Sequence, residues 1–218
     1  MIVTAITPSP RKEGRFDVLV DGRSFAVVSL DIVERLDLGV GAALSPEKER
    51  ALLEEAEALA TYDRALNLLA VQARSSRDLR RRLLQKGEPG PHVEKAIERL
   101  TAVGLLDDAQ FARQLARSKA VGQGASKRRV QQEMFKRGVA RDVADDAITE
   151  VFEEEQVDEA ENAESAARKK LRTLGGLDDE TRRRRLYGFL ARRGYGPDAI
   201  RTTLEKVLRE SLDGEGSP

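Results

Sequence analysis

Apolar residues recur four apart on either side of three glycines, Gly87, Gly138 and Gly194, and the flanks superpose without gaps from one glycine to the next. Counting back eight and four residues from each glycine gives Leu79 and Leu83, Val130 and Met134, Leu186 and Leu190. The i, i+4 spacing places each pair on one helix face. Counting forward six, ten and thirteen gives Val93, Ile97 and Leu100; Ala144, Ile148 and Val151; Ile200, Leu204 and Val207. One such pair is ordinary in any helical protein. Matched sets on both sides of a breaker, three times over, predict three copies of one small helical unit. The expected fold class is mainly α, with tandem three-helix repeats forming an elongated array, because a unit of this size cannot bury its apolar face alone.

Ahead of the repeats the period shortens from four to two. Ile2 to Ile6 alternates as a strand, and Phe16, Val18 and Val20 lead through Asp21-Gly22 into Phe25 and Val27. Asp-Gly between β-prone runs is a strong hairpin signal, so a small N-terminal antiparallel β-hairpin region is expected. Ser29 to Leu38 reads as a short helix ended near Gly39 and Gly41. Ser45-Pro46 then opens a long helix, or a helix pair broken near Thr61, that runs to about Ala73. The expected divisions are 1–60 for the hairpin and its helices, 61–106, 107–156 and 157–212 for the three repeats, and 213–218 for a disordered tail. The middle helices of the repeats are expected over Ser75–Lys86, over Ser126–Arg137, and from near Asp178 to Gly194.

Composition narrows the function. With 35% charged and 4% aromatic residues, the chain suits a body with much surface per residue. Cysteine is absent, which removes disulfides, thiolate nucleophiles and cysteine metal sites. No apolar stretch approaches a membrane span, and Met1 to Ile6 is too short for a secretory signal, so a cytoplasmic, monomeric protein without membrane contact is the expectation. The formal net charge of zero hides a segregation of sign. Residues 1–73 carry net −4, 74–137 net +9, 141–164 net −10, and 168–209 net +8. Two basic blocks around an acidic one suggest a partner with its own charge pattern, or a polyanion met by part of the surface.

Little points to catalysis. His92 is the single histidine, and lying beside Pro91 at a helix start it reads as a surface or capping residue. Asp107-Asp108 is explained by helix capping and the macrodipole. Gly122-Gln123-Gly124 lacks the preceding strand and the Lys-Ser/Thr of a phosphate loop. No enzyme, cofactor or metal is therefore expected. The cations are more informative. Lys86, Arg137 and Arg193 directly precede the glycines, where helix-end electrostatics accounts for them. Arg77, Arg128 and Arg184 stand ten residues before the glycines, roughly opposite the apolar pairs, where the helix dipole does not favour cations. Arg81, Arg129, Lys136, Arg185 and Arg192 extend the same outer face. These eight are the expected partner-binding residues, since arginine forks suit phosphates and carboxylates equally. Phe111 and Phe135 fall at expected core positions, which leaves few rings as stacking platforms for single-stranded nucleic acid.

Three strings, RRRLLQKG over Arg80–Gly87, GLLDDAQFA over Gly104–Ala112 and RRRLYGFLARRGY over Arg183–Tyr195, resemble the RecX family of regulators of the bacterial RecA recombinase. The resemblance covers about residues 60–210 and rests on the order and spacing of the strings together. It implies an all-helical body of tandem three-helix repeats that binds the RecA filament on DNA and inhibits strand exchange and ATP hydrolysis. It implies a modulator in DNA repair, homologous recombination and the SOS response, not an enzyme. It brings no catalytic set, so the eight cations stay the candidates, facing acidic filament surfaces or DNA phosphates, while acidic residues 150–161 could face basic loops. Two other readings stay open: a helix-turn-helix-like regulator that binds duplex DNA, and a repeat scaffold for another protein.

Overall fold

The structure is a computed structural model, and it describes residues 1–10 and 12–215, with side chains through residue 210. Contacts divide the chain into two compact units, Met1–Ala73 with Leu79–Leu106, and Arg74–Asp78 with Asp107–Pro218.

The first unit opens with a three-stranded antiparallel meander, β1 (Val3–Pro8), β2 (Arg15–Val20) and β3 (Arg23–Ser29). The β2–β3 turn is Asp21-Gly22, with φ of 47° and 78°. Positive φ at both central residues is the twist a two-residue hairpin needs. A register shift between Val18 and Leu19 marks an irregularity in the pairing. In β3 it is Ala26 and Val28 that are buried, while Phe25 and Val27, the expected apolar face, are half-buried. Strand side chains Val3, Val18 and Val28 close on Ile32 and Val33 of α1 (Leu30–Arg35) and on Leu52 and Leu59 of α2 (Pro46–Val71).

The α2 helix starts where Ser45 Oγ accepts the Lys48 N–H at 3.2 Å and Pro46 takes the first turn. It runs 26 residues without a break, which settles the expected ambiguity near Thr61. The Thr61 hydroxyl lies 3.2 Å from the Glu57 carbonyl and 2.6 Å from the Glu88 carboxylate, so a β-branched residue is accommodated inside the helix. The second half of α2 joins α3 (Ser76–Gln85) and α4 (Gly90–Ala102) around Ala65, Leu79, Leu83, Val93, Ala96, Ile97 and Leu100. Arg99 stacks on the Tyr62 ring at 4.6 Å beside this cluster. His92 is 7% exposed, contrary to the expected surface position. α4 begins at Gly90, so His92 heads the i, i+4, i+8 row completed by Ala96 and Leu100 and turns inward with them.

The second unit holds two further three-helix groups. The first comprises α5 (Asp108–Gln123), α6 (Lys127–Lys136) and α7 (Arg141–Glu154) around Phe111, Leu115, Val130, Met134, Ile148 and Val151. The second comprises α8 (Glu159–Leu171), a 3-10 turn over Arg172–Leu174, α9 (Asp179–Arg192) and α10 (Pro197–Glu215) around Ala163, Leu186, Leu190, Ile200 and Leu204. Helix α10 passes the expected end near residue 212; of the expected disordered tail, residues 216–218 lie outside the described residues.

All six residues counted back from the glycines, Leu79, Leu83, Val130, Met134, Leu186 and Leu190, are fully buried. Each glycine takes a left-handed φ, +83°, +80° and +89°. The N–H after each glycine reaches back to a carbonyl, Glu88 to Leu83, Val139 to Met134 and Tyr195 to Leu190. That is the Schellman closure a glycine at C′ allows. The start of the middle helix differs. α3 and α6 begin eleven residues before their glycines and α9 begins fifteen before, one turn longer. The register position of the caps Ser75 and Ser126 is therefore filled by Arg182 inside α9.

Candidate partner-binding face of the middle helices

The cation face is built by the same local logic on each middle helix. Once the apolar pair is fixed inward, 100° per residue turns the residues between the pair members toward solvent. Arg77 and Arg81 of α3, Arg128 and Lys136 of α6, and Arg184, Arg185 and Arg192 of α9 are exposed, and Arg129 of α6 is half-buried.

These eight are not equivalent. Arg129 lies 2.8 Å from Glu133 and Lys136 lies 3.4 Å from the same carboxylate, so α6 neutralises part of its own charge. The stem of Arg77 serves packing, since a Cβ on Gly138 would stand 3.1 Å from the Arg77 Cβ. The Arg129 stem holds the same relation to Gly194, at 2.7 Å. Arg128, Arg185 and Arg192 have no ion pair among the described residues, and Arg184 acts on the Asp178 carboxylate through its charge without a direct ion pair.

Sequence reasoning missed the apolar members of this face. Leu84 is 47% exposed and stands seven residues after Arg77. Phe135 is 45% exposed and stands seven after Arg128, which corrects its expected core position. With Val130 and Met134 turned inward, the next residue along swings 100° out, and two helical turns bring it over Arg128. In α9 the ring comes from Tyr187, 44% exposed and three residues after Arg184. The signal was available, because Leu84 and Phe135 both lie three residues before their glycines, off the register of the buried pairs. Arginine on one face with an exposed aromatic side chain is the composition that protein interfaces concentrate.

The acidic block is partly spent inside the chain. Arg117 of α5 lies 3.1 Å from Glu154 and donates to Glu155, and Arg113 lies 3.6 Å from Glu150. The hydrogen bond to Glu155 and the charges of Glu155, Glu154 and Glu150 hold the Arg117 guanidinium above its ordinary pKa. Among the described residues no group of three His, Cys, Asp or Glu side chains could hold a metal ion, and no helix is long and apolar enough to cross a membrane.

Against known families, the three helical groups match successive models: RecX, first three-helix domain, over residues 62–100; second three-helix domain over 107–148; and third three-helix domain over 157–204. The chain belongs to the RecX family. The Regulatory protein RecX of Amycolatopsis mediterranei is 38% identical over 144 residues, 66% of this chain and 81% of that protein. The Regulatory protein RecX of Mycobacterium avium is 38% identical over 72% of this chain and 85% of that protein. A crystal structure of regulatory protein RecX superposes with a TM-score of 0.71 over 94% of this chain and 98% of its own, at 22% identity, a likeness of fold. Membership gives the chain a regulatory role of the RecX kind.

Proposed function

We propose that the chain is a negative modulator of a RecA recombinase, binding along the RecA–DNA filament and suppressing ATP hydrolysis and strand exchange. The observation that carries this reading is the recurrence, on α3, α6 and α9, of an exposed arginine with an exposed apolar side chain on the same face, Leu84 and Phe135 seven residues on and Tyr187 three residues on. A regulator that meets a regularly repeating polymer gains from offering the same contact several times, because each contact after the first is intramolecular. The exposed apolar members favour a protein surface over duplex phosphates, which need cations alone. The outer cations and these side chains form the contact face in this reading, with Arg129 and Lys136 secondary because Glu133 occupies them. The protein acts as a monomer in the cytoplasm.

The test is a titration into the cognate RecA on single-stranded DNA, following ATP hydrolysis at two salt concentrations. Suppression at amounts well below one protein per RecA is the expected result. Unchanged hydrolysis with no filament binding would contradict the reading.

A further inference from the structure

A cavity of about 290 Å³ lies among the end of α5, the outer side of α8 and the end of α9, all within the second unit. Its charged lining is Lys169, Lys170 and Arg193, and no carboxylate lines it. Other cavities in the molecule differ in this respect. One at Gly87 is lined by Glu57 and Glu88 beside its cations, and one lined by Arg168, Arg172 and Arg182 holds Glu210, which binds Arg168. Lys169, Lys170 and Arg193 have no ion pair among the described residues. Arg117, Arg129, Arg168 and Lys206 of this unit pair with Glu133, Glu154, Glu155, Glu164 or Glu210, whereas these three cations share one recess with no carboxylate in its lining.

Arg193 is also held in place. Its guanidinium lies 4.5 Å over the Phe189 ring, and one of its terminal nitrogens lies 3.9 Å from where a Cβ on Gly124 would stand. Gly124 closes α5 in a left-handed conformation, and its carbonyl accepts the Tyr195 hydroxyl at 2.9 Å. The Gly122-Gln123-Gly124 segment is thus not a phosphate loop of its own, but it forms one wall of a cationic recess. Ser165 adds a hydroxyl to the lining.

We infer that this recess binds a phosphate group, with Lys169, Lys170 and Arg193 as its ligands. The donors fit a tetrahedral anion better than a carboxylate. A planar carboxylate is satisfied by one arginine fork, whereas the four oxygens of a phosphate can accept from two ammoniums, a guanidinium and a hydroxyl together. The volume lies at the small end of ligand pockets, enough for a single phosphate and its immediate substituent. The phosphate can come from a free anion or from the backbone of a nucleic-acid strand. The inference stands apart from the RecA reading, because the isolated protein suffices to test it.

The experiment is an NMR titration of the full chain with inorganic phosphate, against chloride at matched ionic strength, and separately with a short oligothymidylate. Phosphate is expected to shift the backbone amides of residues 122–124 and 169–173. The double variant K169Q/K170Q, at an exposed and a half-buried position of α8 and checked for unchanged helicity, should bind about tenfold or more weakly. Shifts from the oligonucleotide at the same amides, lost in the same variant, assign the phosphate to a strand; shifts from phosphate alone assign it to a free anion. No shift from either probe, or equal shifts in K169Q/K170Q, would overturn the inference.

Discussion

The Ser126 hydroxyl lies 2.5 Å from where a Cβ on Gly194 would stand, and the Ser126 N–H donates to the Arg193 carbonyl at 3.1 Å. The start of α6 is thereby seated on the turn that ends α9, two positions 68 residues apart. The start of α3 repeats the relation. Ser75 donates to the Arg137 carbonyl, and a Cβ on Gly138 would stand 3.2 Å from its hydroxyl. The third glycine, Gly87, has nothing within 4 Å of its Cβ position.

The three glycines should therefore differ in how they tolerate alanine. Gly87→Ala meets only the left-handed strain, about 1–2 kcal/mol. Gly194→Ala adds contacts of 2.7 Å with the Arg129 Cβ and 3.0 Å with its backbone nitrogen, neither of which can swing away. A loss of roughly 3 kcal/mol or more is expected. Urea unfolding of the two variants decides it; equal losses would show that the close approach does not matter.

Tyr195 reports on the same junction by its titration. Burial pushes its hydroxyl up to about 12, with Glu159 adding to the rise and Arg193 opposing it. A phenol raised above its ordinary value of about 10 contributes stability that is whole below pH 10 and lost as pH rises toward 12. Absorbance titration should show one of the three tyrosines ionising late, and Tyr195→Phe should remove that component. The variant also loses the bond to Gly124, about 1 kcal/mol at neutral pH.

Acid should act on the first unit through Asp63. Burial raises its carboxyl, but hydrogen bonds from Lys12 at 2.6 Å and Arg15 at 2.8 Å outweigh it, and the net shift is downward. A depressed carboxylate contributes stability that is present above its ordinary range and lost as pH falls through the lower folded value. Asp63→Asn should cost about 1 kcal/mol at pH 7 and flatten the decline in stability below about pH 4. Parallel declines in variant and parent would show that Asp63 is not the acid-sensitive group.

How much of this was legible in the sequence follows from the range of the interactions. The buried pairs, the glycine turns and the Asp21-Gly22 hairpin are set by neighbours a few residues away, and their spacing revealed them. The Thr61 hydroxyl reaches Glu88, 27 residues on, a contact that no local pattern encodes. His92 turns inward because it shares a helix face with Ala96 and Leu100, four and eight residues on. The Ser126–Gly194 contact depends on how two distant turns meet. Phe135 is different: its hydrophobicity suggests core, while its spacing from Gly138, which matches that of Leu84 from Gly87, puts it off the register of the buried pair and on the outer face.

Phe135 and its neighbour separate contact from stability. Met134 is fully buried, so Met134→Ala should cost about 2–5 kcal/mol. Phe135→Ala should change stability by less than about 1 kcal/mol while weakening filament binding about tenfold. Thermal unfolding together with co-sedimentation on RecA filaments checks both; a large loss of stability in Phe135→Ala would place the ring in a structural role.

The most direct test of the central claim is the triple variant R77E/R128E/R184E, assayed for suppression of RecA ATP hydrolysis on single-stranded DNA beside the parent protein. The account predicts that suppression falls by about tenfold or more in potency while helicity and unfolding midpoint hold near the parent values. Suppression equal to the parent's, in a folded variant, would contradict the placement of the contact on the outer faces of α3, α6 and α9.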